Sequence, residues 1–143
     1  DDKYERYFAE GSNYVKEAQL VDIFEKTDIL SLHLPLTDET QLMFNKNFIS
    51  KFKKNIILIN TSRGKVVDTS ALIEGLKSGK IEGACLDVFE NEKPNYLTDN
   101  EDRMYNELYE FENVILTPHV AGWTVDSKAR LAQIVLDKIL SSV

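Results

Sequence analysis

The sequence predicts an α/β fold on a doubly wound parallel sheet, and three observations carry that prediction. Its strand candidates are continuous apolar runs such as "NIILIN" (55–60) and "GACLDVF" (83–89), without in/out alternation. Strands of that kind belong to sheets covered on both faces by helices. Amphipathic helical stretches alternate with the runs along the chain, the order of crossover units. Polar and charged residues cluster where the runs stop, at the edge where parallel sheets keep their ligand sites.

The elements follow in order. "NYV" (13–15) reads as a short strand, and "EAQLVDIFEKT" (17–27) as a helix with Leu20, Val21, Ile23 and Phe24 on one face. "DILSLHLP" (28–35) is a strand that Pro35 ends, and "NKNFISKF" (45–52) is a short amphipathic helix. After "NIILIN", "TSALIEGLKSG" (69–79) is a helix with Leu72, Ile73 and Leu76 inward and Gly79 as its stop. "GACLDVF" is the next strand, and "ENEKPN" reads as a solvated loop. "NVILTPH" (113–119) is the last strand, and "TVDSKARLAQIVLDKIL" (124–140) closes the chain as a helix. Thr124 is its N-cap, and Leu131, Ala132, Val135, Leu136, Ile139 and Leu140 form its buried stripe. No repeat or linker divides the sequence, so one domain is expected.

Composition narrows the function. A charged share of 29% against 43% hydrophobic residues is that of a globular protein, and 143 residues suffice for one core. A net charge of −7 argues against nucleic acid or an anionic membrane as partner. No apolar run reaches the roughly 20 residues that span a bilayer. A single cysteine, Cys85, forms no intrachain disulfide, and two histidines give no zinc pattern. Cys85 reads as a small buried residue, and the chain as cytoplasmic.

The strand ends carry the chemistry. "INTSRG" places Arg63 just past one strand, "LSLHLP" delivers His33 and Pro35, "CLDVFENE" delivers Asp87, Glu90 and Glu92, and "ILTPH" delivers His119. Each alone has a bland reading: a surface cation, a cap, a solvated loop, a structural histidine. Together they suit redox chemistry on a carboxylate-bearing substrate. A guanidinium binds a carboxylate through paired hydrogen bonds. A histidine exchanges the proton of a hydroxyl/carbonyl pair near neutral pH, and a neighbouring carboxylate stabilises its cation. No G-x-S-x-G or Cys/His arrangement supports a hydrolase.

The blocks "INTSRGKVVDTSAL", "CLDVFENEKP" and "ILTPHVAGWT", preceded by "TDILSLHLPLTDET", resemble the NAD-dependent D-isomer-specific 2-hydroxyacid dehydrogenases, over about residues 15–140. The resemblance implies an oxidoreductase moving hydride between NAD and a D-2-hydroxy acid or 2-keto acid, with NADP left open. It implies that Arg63 holds the substrate carboxylate and carbonyl oxygen and also counts among the cofactor-binding residues, that His119 is the acid/base and that Glu92, rather than Glu90, is its paired carboxylate. It places Asp87 at the nicotinamide end, Thr61 and Ser62 at the nicotinamide ribose, and Leu34, Pro35 and Thr40 near the adenosine half and phosphates. By the same resemblance His33 is structural or meets the cofactor through its backbone. Glu92 stands where a formate-oxidising relative has glutamine, which disfavours formate. Lys93 between Glu92 and Pro94 departs from the commoner Glu-Pro pairing. "AGW" with the following "SK" resembles phosphoglycerate dehydrogenases and points to D-3-phosphoglycerate.

The family's phosphate loop, G-x-G-x-x-G, is not present among the six glycines. The resemblance therefore implies an incomplete Rossmann-type sheet lacking its first strand and phosphate loop. Residues 1–143 are expected to be the C-terminal portion of a dinucleotide-binding domain, with the substrate domain absent and Asp1 or Asp2 as ribose-binding candidates. Such a fragment is expected to be inactive alone, with the strand "DILSLH" left as a bare edge. The complete protein is expected to form a homodimer. The other reading is an inactive interaction module on the same scaffold, similar to a corepressor and acting through a partner.

Overall fold

A computed structural model of the chain describes residues 17–141. The elements run α1 (Leu20–Lys26), β1 (Ile29–Leu32), α2 (Lys46–Ser50), β2 (Ile56–Asn60), α3 (Thr69–Lys77), β3 (Ile81–Leu86), α4 (Asp99–Glu110), β4 (Val114–Leu116) and α5 (Val125–Leu140). The four strands form one sheet in the order β1-β2-β3-β4, and every pairing is parallel. Parallel neighbours need a crossover between them. Helices α2, α3 and α4 supply the three crossovers and pack side by side, with α3 against β3 and α4 against β4.

Local chemistry sets the helix limits. The Asp68 side chain accepts the Ala71 N–H at the start of α3, and Asn45 accepts the Phe48 N–H at the start of α2. Gly79 follows the end of α3 with φ of 73°, the left-handed position where glycine escapes the Cβ penalty. Thr124 caps α5 through the Ser127 N–H, as expected.

The core lies between the sheet and this helical layer. Ile56, Leu58 and Ile81 from the sheet are fully enclosed, as are Leu72 of α3 and Leu108 of α4. Each such side chain contributes about 1.5–3 kcal/mol through burial. At the β1 end Phe24 stands edge-on to Phe48 and Phe52, with ring centroids 5.0 and 5.2 Å apart.

Several expectations are corrected. Among the described residues, helices cover one face of the sheet rather than two. Burial alternates along β2, and Ile57, Ile59 and Cys85 on the second face are only half-buried, while Ile115 is 62% exposed. No helix covers that face among the described residues, so Cys85 is not fully enclosed. Helix α5 is amphipathic, but its stripe is not buried: every residue is exposed apart from Ser127, and Leu131 keeps 65% of its surface. The pattern marks an apolar face, whereas burial needs something to pack on it. On α1 only Ile23 and Phe24 reach the core, while Leu20 and Val21 stay exposed. Helix α4 occupies a stretch for which the sequence predicted no element. The "NYV" strand, Asp1 and Asp2, and the chain before residue 17 lie outside the described residues.

Candidate active site

The polar turn after β2 is built by Asn60. It is 1% exposed, at the last position of an apolar strand. Its Oδ1 accepts the Ser62 N–H at 3.1 Å and the Ser62 hydroxyl at 2.9 Å, and its Nδ2 donates to the Arg63 carbonyl at 3.1 Å. This Asx-type closure turns the chain so that Arg63 leaves the sheet edge exposed. Gly64 follows, pressed on the next loop: a Cβ there would overlap the Phe89 carbonyl. Only glycine lets the arginine turn and the β3–α4 loop approach so closely. Segment 42–44 holds the turn from the other side, with Leu42 and Phe44 N–H donating to the carbonyls of Lys65 and Val66.

His119 comes from the loop after β4, and its φ of 55° lies in the left-handed region. Such a backbone costs on the order of 1–3 kcal/mol and needs surroundings that enforce it. Asp87, at 3% exposure, does so. Its Oδ1 accepts the Thr117 hydroxyl at 2.5 Å and the Val120 N–H at 2.8 Å, and its Oδ2 accepts the Ala121 N–H at 2.8 Å. Burial by itself would raise the Asp87 pKa. The bonds from Thr117, Ala121 and Val120, with His119 nearby, outweigh it and hold the carboxyl below its ordinary value.

The result is a pair. His119 Nδ1 lies 2.8 Å from Glu92 Oε2, and Glu92 Oε1 accepts the Phe89 N–H at 3.3 Å. With Nδ1–H given to the carboxylate, Nε2 is the nitrogen left for proton exchange. Arg63, Glu92 and His119 line one open cleft of about 760 Å³, together with Gly64, Lys65 and Leu36. They come from the ends of the adjacent strands β2, β3 and β4. Arg63 Nη1 donates to the Ser62 carbonyl at 2.7 Å. An arginine, a carboxylate–histidine pair and an open cleft can bind an anionic substrate and exchange a proton with it.

A second groove of about 200 Å³ runs between β3 and β4 and is lined by Thr61, Cys85, Asp87, Thr117, Val120 and Ala121. Two cofactor candidates, Thr61 and Asp87, thus share one groove. Ser62 is half-buried and spends its hydroxyl on Asn60. Leu34, Pro35 and Thr40 lie on the turn after β1 and line neither cavity; the Thr40 hydroxyl donates to the Pro35 carbonyl at 2.7 Å and closes that turn. His33 is exposed and meets the Ser31 hydroxyl at 2.9 Å. The Glu90 carboxylate accepts the Thr69 N–H at 2.6 Å, fastening the loop to the start of α3. Sequence reasoning gave no role to Asn60, whose signal is an amide at the end of an apolar strand, nor to Leu36 and Gly64.

A parallel α/β sheet with its polar site at adjacent strand ends places the chain in the Rossmann-like class of nucleotide-binding folds. Residues 2–121 match the family described as "D-isomer specific 2-hydroxyacid dehydrogenase, NAD binding domain", and the chain belongs to that family. It is 43% identical over 121 residues to a glyoxylate reductase of Thermofilum pendens, covering 83% of this chain and 33% of that protein. An aromatic 2-oxoacid reductase of Clostridium sporogenes is 39% identical over 130 residues, 86% of this chain and 39% of the relative. The chain thus spans well under half the length of these relatives. Among solved structures, the NAD-complexed D-isomer specific 2-hydroxyacid dehydrogenase of Lactobacillus delbrueckii ssp. bulgaricus superposes with a TM-score of 0.74 at 37% identity, covering 87% of this chain and 39% of that one. The D-lactate dehydrogenase of Aquifex aeolicus, complexed with NAD and lactic acid, gives 0.73 at 37% identity with the same coverage.

Proposed function

We propose that the chain is the C-terminal portion of the dinucleotide-binding domain of an NAD-dependent dehydrogenase that interconverts small 2-keto acids and D-2-hydroxy acids. The observation that carries this reading is the 2.8 Å His119–Glu92 pair on the wall of a cleft that also holds Arg63. Family membership and the names of the relatives support it.

In this reading the Arg63 guanidinium takes the substrate carboxylate in two parallel hydrogen bonds and fixes the keto carbon. His119 Nε2 gives its proton to the carbonyl oxygen during reduction and takes it back from the hydroxyl during oxidation. Glu92 holds Nδ1–H, sets the tautomer and offsets the imidazolium charge. The groove lined by Thr61 and Asp87, at the ends of β2 and β3, is assigned to the nicotinamide end of the cofactor. Bound NAD supplies or accepts hydride at the substrate's second carbon. Leu34, Pro35 and Thr40 are assigned to the adenosine and phosphate side, and Ser62 shapes the ribose side through Asn60. NAD is preferred over NADP on the family description. Glyoxylate, pyruvate and aromatic 2-keto acids are the first substrates to try, with D-3-phosphoglycerate a further one. The complete protein works as a homodimer in this reading.

The test is Arg63→Lys in the full-length protein. The fork is lost while the charge stays. The keto-acid kcat/KM should fall about a hundredfold, about 2.7 kcal/mol of transition-state binding. Unchanged kcat/KM for every keto acid would overturn the carboxylate clamp and favour an interaction module.

A further inference from the structure

The β3–α4 loop carries three consecutive polar side chains with three separate destinations. Glu90 reaches back to the Thr69 N–H at the start of α3. Glu92 faces His119. Asn91, between them, is fastened to α4. Its backbone N–H donates to the Tyr105 hydroxyl at 2.9 Å. Its Nδ2 donates to Glu101 Oε1 at 3.2 Å, and its Oδ1 accepts the Lys93 N–H at 3.1 Å. The amides on both sides of Glu92 are thus fixed by Asn91 or by its partner. The anchors are firm as well. Tyr105 is 9% exposed, and its ring stands edge-on to Phe89 at 5.6 Å. Glu101 Oε2 is held by the Thr98 N–H at 2.8 Å and the Thr98 hydroxyl at 2.7 Å, in the capping box that starts α4.

We propose that Tyr105 and Asn91 are positioning residues that hold Glu92 in register with His119, so that α4 sets the geometry of the proton pair from behind. The inference rests on the reading of Glu92 and His119 as that pair. A buried tyrosine hydroxyl and a loop amide would be unnecessary for a loop that only connects β3 to α4. Burial, reinforced by Glu90, Glu101 and Glu92, pushes the Tyr105 pKa up against the opposing Asn91 bond, so the phenol stays neutral as an acceptor near neutral pH. Misplacement of a reacting group by about 1 Å can cost a hundredfold in rate, so freeing the loop should show in turnover.

The experiment is a double-mutant cycle in the full-length protein, with NADH and a 2-keto acid that the wild type reduces. Tyr105→Phe keeps the ring on Phe89 and removes only the acceptor; Asn91→Ala removes the side-chain bonds and keeps the backbone. Each should lower kcat about tenfold, leaving keto-acid KM and NADH affinity within about twofold. Neither should lower kcat further when Glu92→Gln is already present, because a residue acting through Glu92 is silent once Glu92 is gone. Glu101→Gln, which keeps the acceptor for Asn91, should retain more activity than Glu101→Ala. Equal losses from Tyr105→Phe in both backgrounds would overturn the proposal and make the contact merely structural, as would a wild-type kcat in both Tyr105→Phe and Asn91→Ala. If Glu92→Gln itself keeps full activity, the underlying proton-pair reading fails, and the positioning claim fails with it.

Discussion

His119 is held in a left-handed backbone by a carboxylate from another strand end, and that arrangement has a pH signature. Asp87 has a lowered pKa in the folded chain because Thr117, Val120 and Ala121 bond its ionised form. Its contribution to stability is therefore complete above its unfolded pKa of about 3.9 and is lost as pH falls through the lower folded value. Thermal melts taken from pH 7 down to pH 3 should show wild-type stability dropping at the acid end. Asp87→Asn should be less stable at neutral pH, having replaced one acceptor by an amide donor that faces other donors, and should show a smaller acid drop. Identical acid slopes for the two proteins would contradict the role given to Asp87. At this scale much was legible. Arg63, His119 and a carboxylate from Glu90 or Glu92 were readable because polar side chains at the ends of apolar strands stand out, and parallel strands bring those ends to one edge; the choice of Glu92 came from the family resemblance. Asn60 was not, because a buried amide leaves no periodic trace; only the turn it closes reveals it. Thr40 and Ser62 show the reverse: both hydroxyls bond their own turns, which spacing alone does not disclose.

At the scale of elements the sheet was readable from its apolar runs, while burial was not. A run such as Ile56–Ile59 is compatible with cover on one face or two, and the described residues cover one. Helix α5 makes the same point: its stripe is periodic, yet among the described residues nothing packs on it. Helix α4 escaped notice because its apolar residues are few and lie among acidic ones, with only Tyr105 and Leu108 buried. Its N-terminal signal was nonetheless present in Thr98 and Glu101, a hydroxyl followed three residues later by glutamate. That box anchors Asn91 as well as the helix. Thr98→Ala should lower stability by about 1 kcal/mol, seen as an earlier denaturation midpoint. If Glu101 then turns away from Asn91, turnover falls too; a stability loss below about 0.3 kcal/mol would show that the box does not hold the helix.

On the scale of the whole molecule, the chain carries a net charge of −7, while in the cleft Arg63, Lys65 and Lys93 stand beside Glu90, Glu92 and Glu101. Among the described residues no helix is long and apolar enough to cross a membrane. In the proposed account this chain supplies the arginine and the proton pair for reduction at a keto carbon. The most direct test is to give the full-length protein NADH with pyruvate or phenylpyruvate, resolve the product by chiral chromatography and repeat the assay with His119→Asn. The account predicts the D-2-hydroxy acid and a kcat at least a hundredfold lower in the variant. An L-product, no turnover of any 2-keto acid, or full activity without the histidine would contradict it.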